Sequence, residues 1–249
     1  IFDLPRLSVD IDLDYAKNNS RDEMISERMD ITEIIRRYMA AEGYDLSNRS
    51  KTYHSLDSFF FVYTNSAEVR DNIKIELNYS LRSHVFPLKY RSVKVHGYMS
   101  AAEVLSVAPI EIFAGKIVAL LSRAAARDLY DINNMLNYGL FDEAEQDMLR
   151  RCVVYYSAVC GERAPETFDI DRIDSLTRYK IKTDLFPVIR KTERFDLAAA
   201  QNRVKTYLTE LLVQTDAERS FCDAFRNKDY RPELLFHGEM LERVKNHPM

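Results

Sequence analysis

Glycine is scarce in this sequence, with 6 residues in 249, where average usage is about 7%. The shortage disfavours glycine-rich phosphate loops, collagen-like repeats and many-turned all-β folds, and leaves helix as the expected majority. Cysteine is equally sparse. Cys152, Cys160 and Cys222 are odd in number, lack C-x-x-C spacing and fall inside helical patterns, so they suggest neither a disulfide framework nor a zinc cluster and read as small buried apolar residues of a reducing compartment. The 5 histidines form no H-E-x-x-H or His/Cys group, so any metal is expected to be held by oxygen. No run approaches the roughly 18 apolar residues of a membrane span, and no basic-then-apolar leader precedes a small-residue cleavage site, so the expected location is cytoplasmic. Neither charge sign dominates: 35 Lys+Arg against 39 Asp+Glu give −4, with a pI of about 5.8. That balance argues against broad nucleic-acid affinity but not against a local patch such as Lys89, Arg91 and Lys94.

An apolar content of 46% with 11% aromatics is ample for a buried core in one large domain or two ordinary ones. Residues Leu7 to Asp14 alternate, with Leu7, Val9, Ile11 and Leu13 on one face and Ser8, Asp10, Asp12 and Asp14 on the other. This predicts a half-buried strand with one packed and one open, acidic face. A helical period over about 22–42 gathers Met24, Ile25, Met29, Ile31, Ile34, Ile35 and Met39 on its apolar side, with Gly43 as its stop. A hairpin follows, its strands at Asp57–Tyr63 and Asn72–Tyr79; in the second, Ile73, Ile75, Leu77 and Tyr79 share a face and leave Lys74, Glu76 and Asn78 on the other. Short extended runs at 88–91 and 93–96 slip phase by one residue, which predicts a bulge. Pro109 opens a helix with Glu111 in its first turn. Beyond it the pattern is helical at about 109–124, 128–138, 141–160, 168–184, 196–214, 217–228 and 233–246. The expected organisation is a strand-rich domain over 1–106 and a helical one over 107–249.

Three constellations carry possible chemistry. Asp10 and Asp12, two residues apart on a strand, point the same way with Cα atoms about 7 Å apart, so their oxygens suit one or two divalent ions; the alternative is a solvated sheet face. Asp14 continues that face at the strand's end, where a turn or capping role competes. Glu76 lies on the polar face of a separate strand, where a third carboxylate would join the pair, and three acids at one site imply a cation. Lys74 beside it reads as an ion-pair partner. The third constellation is Glu111 to Asp131. If helical throughout, Lys116, Arg123 and Arg127 form a cationic stripe able to grip phosphates, bordering the apolar face of Ile110, Phe113, Ile117, Leu120 and Ala124. Asp128 and Asp131 then face inward, or Asp128 caps a new helix; a salt-bridged amphipathic helix is the bland alternative.

In order and spacing, Arg6-Leu7-Ser8-Val9-Asp10-Ile11-Asp12-Leu13, then Ile75-Glu76-Leu77-Asn78, then Glu111-x-Phe-Ala-x-Lys116-x-x-Ala-Leu-x-x-Arg123-x-x-x-Arg127-Asp128-Leu-Tyr-Asp131 resemble the AbiEii/AbiGii toxin family of nucleotidyltransferases, in the DNA polymerase β-like superfamily. The motifs cover about 50 residues of a domain that would span most of the first 200 or more. The resemblance implies an α+β fold: a nucleotidyltransferase-type mixed β-sheet with flanking helices, followed by an all-helical C-terminal domain. It implies Asp10, Asp12 and Glu76 as ligands of Mg²⁺ (or Mn²⁺), Lys116 as a triphosphate-binding side chain, and Arg127, Asp128 and Asp131 as active-site residues of the later motif. Ser8 and Arg123 join the nucleotide-binding set, and Arg6 matches the upstream flank.

The implied function is Mg²⁺-dependent transfer of NMP from an NTP to an acceptor hydroxyl with release of pyrophosphate. RNA or a tRNA end is the expected acceptor, in the toxin half of a bacterial toxin–antitoxin or phage-defence pair, with an antitoxin as partner and no membrane contact. The alternatives are a small-molecule or protein acceptor, or a catalytically silent binding module; a metal-dependent nuclease would leave the Lys116 to Asp131 segment unexplained. Such families carry a Gly-Gly or Gly-Ser turn shortly before the R-x-S-x-D-x-D run. Nothing here precedes Ile1, and the expectation is a trimmed sequence.

Overall fold

A computed structural model describes residues 4–8, 10–17, 19–95, 98–161 and 164–247, with backbone alone over 94–95 and 98–101. Val9 and His96, which fall in two of the expected strands, lie outside the described residues, as does the side chain of Lys94. The chain forms two compact units, one from Ser8–Ser83 with the described residues of Asn246–Pro248, the other from the described residues of Ile1–Leu7 and His84–Lys245. Each is an α+β or helical assembly with its own core.

The first unit is built on a five-stranded sheet. Strands β1 (Asp10–Asp14), β5 (Arg70–Asn78), β4 (Leu56–Thr64) and β2 (Asp45–Leu46) follow one another across it, and β3 (Lys51–Thr52) also pairs with β4. The pairing of β4 with β5 is antiparallel, whereas β1 runs parallel to β5. A parallel neighbour requires a crossover, and it includes helix α1 (Arg21–Ala41). The helix begins at Ser20, which forms a reciprocal capping box with Glu23, and Gly43 follows it with φ +82°, a conformation glycine adopts without strain.

The helix packs a single row. Met24, Ile31, Ile35 and Met39 meet Phe59, Phe61, Ile73, Ile75, Leu77 and Tyr79 on one face of the sheet. Ile25, Met29 and Ile34, expected on the same apolar side, are exposed, because that row faces away from the strands. The strand expected at Leu7–Asp14 is shorter, and its apolar face is not sealed: Ile11 and Leu13 remain 42% and 41% exposed, and Leu7 58%. β1 is the edge strand, and the buried clusters against the helix are drawn from β4 and β5.

The second unit carries an antiparallel hairpin, β6 (Lys89–Val95) with β7 (Tyr98–Ser106), and the helices α2 (Pro109–Arg123), α3 (Ala126–Asn137), α4 (Glu143–Val159), α5 (Leu197–Leu211), α6 (Asp216–Arg226) and α7 (Gly238–Val244). The hairpin register shifts between Ser92 and Lys94, at the phase slip seen in the sequence. Phe113, Ile117 and Leu120, at i, i+4 and i+7 of α2, are fully buried, as are Leu129 and Ile132 of α3 and Leu149 and Val153 of α4. The helix expected at 168–184 is instead a 3₁₀ turn (Ile170–Ser175), one helical turn (Arg178–Lys180) and a π-helical turn (Ile181–Leu185). Asp169 and Thr177 bond backbone amides as caps, an alternative to continuous helix that Asp and Thr favour. The expected segment 233–246 likewise breaks into a 3₁₀ turn at Pro232–Leu234 and α7. Cys152 and Cys222 are buried, but Cys160, at the end of α4, is exposed.

One polar contact ties α1 to the sheet. The Arg28 guanidinium donates through Nε and Nη2 to Asp57 at 2.9 and 2.7 Å, and to the carbonyls of His54 and Tyr53 at 2.9 and 2.7 Å. Asp57 is only 1% exposed, so removing its partner strands a buried charge. Arg28→Ala is expected to cost about 3–5 kcal/mol in urea unfolding; a cost below about 1 kcal/mol would put the pair with ordinary surface bridges.

Candidate active site

The acidic face is a product of register. Asp12 sits opposite Glu76, Asp10 opposite Lys74 and Asp14 opposite Asn78 in the parallel β1–β5 pair. Alternation then puts Asp10, Asp12 and Asp14 on the same side of the sheet as Lys74 and Glu76, away from α1. Asp10, Asp12 and Glu76, from two distant stretches of sequence, therefore share one surface. Glu76 is engaged by Lys74, whose Nζ lies 2.7 Å from Oε2. Ser8 Oγ donates to the carbonyl of Asp10 at 3.1 Å, so in this arrangement it braces the backbone of β1.

Partial burial pushes the Asp14 carboxyl up to about 6, with the nearby Asp12 charge adding to the shift and a hydrogen bond with Asn78 opposing it. Among the described residues no three Asp, Glu, His or Cys side chains lie close enough together to hold a metal ion. The backbones of Asp10, Asp12 and Glu76 are adjacent, while the Glu76 carboxylate is turned to Lys74.

The later motif folds differently from one continuous helix. Ala124 adopts φ +47° and ends α2, and α3 starts two residues on, so Lys116 and Arg123 sit on one helix and Arg127 on the next. Asp128 does not cap α3, whose N-cap is Ala125; it is buried and receives the Arg123 guanidinium at 2.9–3.0 Å. Arg127 is half-buried beside it in sequence.

Asp131 is a fully buried carboxylate held by two cations. Its side chain is 0% exposed. Arg6 donates to it in a fork, Nε to Oδ1 and Nη2 to Oδ2, both at 2.6 Å, and Lys116 Nζ adds a 2.6 Å contact to Oδ2 while remaining 23% exposed. A buried acid with two cations on it is satisfied on both oxygens. The segment bearing Arg6 is fixed by its own backbone: Leu7 N donates to the carbonyl of Val188 at 2.7 Å, and Tyr130 Oη reaches the carbonyl of Pro5. Sequence reasoning gave Arg6 no firm role; its signal was its place four residues before the D-x-D.

Glu111 also proves more than a first-turn acid. It is buried, accepts from Val85 N at 2.7 Å and Phe86 N at 3.2 Å, and takes the Tyr156 hydroxyl. Burial pushes its carboxyl above the usual range while these donors pull it back. It anchors the loop before β6 to α2 and α4.

A family model described as the nucleotidyl transferase AbiEii toxin of a type IV toxin–antitoxin system matches residues 1–227. The chain belongs to that family. It is therefore a nucleotidyltransferase toxin by family, with an NTP substrate and an antitoxin partner implied at that level. In three dimensions it is similar to MenT4, a nucleotidyltransferase toxin from Mycobacterium tuberculosis H37Rv, with a TM-score of 0.61 and 18% identity over 94% of this chain and 77% of the other; that likeness concerns the fold. No curated protein sequence matches the chain. None of the described helices is long and apolar enough to cross a membrane.

The Asp131 cluster generates a pH prediction. Burial works against ionisation, but Arg6 and Lys116 outweigh it and hold the carboxyl below the usual range. The sign follows from linkage: an acid whose folded pKa is depressed contributes stability above its unfolded value of about 3.9 and loses it as pH falls through the folded one. Asp131→Asn is expected to lose about 3 kcal/mol at pH 7, with the gap from the unsubstituted protein closing below about pH 4. A gap that stays constant in acid unfolding would show that shape, not charge, holds Arg6 and Lys116.

Proposed function

We propose that this nucleotidyltransferase moves NMP from an NTP to a hydroxyl of RNA, with a tRNA acceptor end as the expected substrate, as the toxin of a cytoplasmic toxin–antitoxin pair. The single observation that carries the reading is the pairing of Asp12 with Glu76 in adjacent parallel strands, with Asp10 two residues along the same face. Three carboxylates at strand spacing, brought together by rotation of the Glu76 side chain, would make a hard-oxygen donor set of the kind Mg²⁺ or Mn²⁺ takes. Glu76 would join it by releasing Lys74, with which it forms a part-exposed ion pair at 2.7 Å. The chemistry supplied by the ion when bound is neutralisation of triphosphate charge and a lowered pKa of the attacking hydroxyl.

The protein's residues then divide the work. Asp10 and Asp12 hold the cation, and Glu76, as third carboxylate, orients the acceptor hydroxyl and receives its proton. Lys116, Arg123 and Arg127 bind phosphate oxygens, with Asp131 and Asp128 fixing the first two cations in place, and Ser8 assists at the nucleotide. In the transfer, the acceptor oxygen bonds to the α-phosphorus, the bond from that phosphorus to the bridging oxygen breaks, and pyrophosphate leaves. The cations stabilise charge developing on the leaving phosphates.

Labelled NTPs incubated with bulk tRNA, a small-molecule acceptor panel and protein acceptors test the reading, with Mg²⁺ calorimetry beside them. Label on RNA supports it, label only on a small molecule or protein removes the RNA acceptor, and absence of both metal and NTP binding points to a silent module. Asp12→Ala is expected to reduce transfer roughly a thousandfold or more, about 4 kcal/mol of transition-state stabilisation, with an unchanged thermal midpoint because it removes charge from an open face and no core volume. Lys116→Ala is expected to raise the NTP KM; unchanged kinetics would show that another side chain carries the phosphates.

A further inference from the structure

The face that carries Glu76 continues past it as a groove of about 550 Å³, lined by Arg49, Lys51, Tyr53, Phe60, Lys74 and Glu76 among others. All of it lies within the sheet unit, on β3, β4, β5, the turn before β3 and the turn between β3 and β4 that bears Tyr53. In strand order, Lys51 lies opposite Ser58, Ser58 opposite Glu76, and Glu76 opposite Asp12. The groove therefore leads across the sheet to the carboxylates.

Its chemistry differs from theirs. Three cations face one carboxylate: Arg49 and Lys51 are exposed, the Arg49 guanidinium stacks 4.5 Å from the Phe60 ring centroid, and Lys74 Nζ lies 5.8 Å from the same centroid. Tyr53 is 51% exposed. The wall is also built rather than loose. Ser47 N donates to the Phe60 carbonyl at 2.8 Å, and Phe60 N donates to Ser50 Oγ at 2.9 Å, so the turn bearing Arg49 is fastened to both backbone groups of Phe60.

Cations alternating with an accessible aromatic ring are the means by which proteins hold unpaired nucleotides, phosphates on the cations and bases on the ring. A duplex keeps its bases stacked and would leave the ring unused. We infer that this groove seats the acceptor strand, a single-stranded RNA end whose hydroxyl is delivered to Glu76, and that Arg49, Lys51 and Tyr53 govern acceptor affinity rather than chemistry. The inference rests on the RNA-transfer reading for the acceptor's identity, and its test separates the two.

The test uses the full chain. Binding of a fluorescent single-stranded RNA oligonucleotide is followed by anisotropy across a salt series without NTP or added metal, so that catalysis plays no part. The double variant R49E/K51E is expected to bind at least tenfold more weakly, with a salt slope shallower by about 1.4, from two lost phosphate contacts on a single strand. Y53A is expected to lose about fivefold or more from a missing stack. In the transfer assay, both are expected to raise the KM for RNA and leave the KM for NTP unchanged, with thermal midpoints matching the unsubstituted protein. RNA binding that is undetectable in the unsubstituted protein, or equal in folded R49E/K51E and Y53A, overturns the groove. So does tighter binding of duplex RNA or an acidic peptide than of the single strand. RNA binding that responds to these substitutions in a protein that transfers no NMP keeps the groove and removes the proposed function.

Discussion

The parallel pairing of β1 with β5 is the constraint on which the sheet unit depends. Parallel neighbours cannot be joined by a tight turn, so the chain between them is committed to a crossover, and α1 within it covers one face of β4 and β5. With that face spent on Phe59, Phe61, Ile75 and Leu77, the residues between them project from the sheet's other face. The register then decides which polar groups become neighbours. A slip of one residue would turn Asp12 toward the helix and bring Ile11 out beside Glu76.

In the helical unit the corresponding constraint is the buried Asp131 carboxylate. A charge taken fully out of water must find partners of matching geometry, and breaking such a pair costs more than forming it gains. Arg6 meets both oxygens with a planar fork, which a lysine would not reproduce, while Lys116 adds a point charge and keeps part of its surface accessible. Arg6, Lys116 and Asp131, spread over 125 residues of sequence, thus act as one electrostatic object. Arg123 and Asp128 repeat the pattern nearer the surface.

How much of this was legible follows from which signals are periodic. Period-two alternation placed Asp10, Asp12 and Glu76 on polar faces, and the phase slip near Ser92 announced the irregular hairpin. Gly43 and Pro109 marked helix ends because each has a backbone reason to be there. Other features had no local signal. Strand β7, Tyr98–Ser106, contains helix formers such as Ala101, Ala102 and Glu103 and is extended because β6 pairs with it. The segment from Asp169 to Leu185 has apolar spacing suited to a helix, but the Asp169 and Thr177 side chains bind backbone amides and break it into short turns. Ile11 and Leu13 alternate as a packed face should, yet alternation reports which side a residue takes and not whether anything covers it. Arg6 and Asp131 lie 125 positions apart, a distance at which no periodicity connects residues.

Charge shows the same difference between a pattern and a sum. The net value of −4 suggests a chain indifferent to nucleic acid, but a bound strand feels the charges within a Debye length of about 8–10 Å, not the total. A pleated sheet sorts residues by parity, so acids and bases scattered along the chain are gathered by face. On this sheet the sorting leaves Asp10 and Asp12 at one edge and Arg49 and Lys51 toward the other, with Lys74 and Glu76 paired between them. A polyanion approaching the basic end is attracted locally while the acidic end repels it unless a cation intervenes. On the proposed reading, this separation lets the surface hold a negatively charged substrate without trapping it against the carboxylates, which a uniformly basic face would not do.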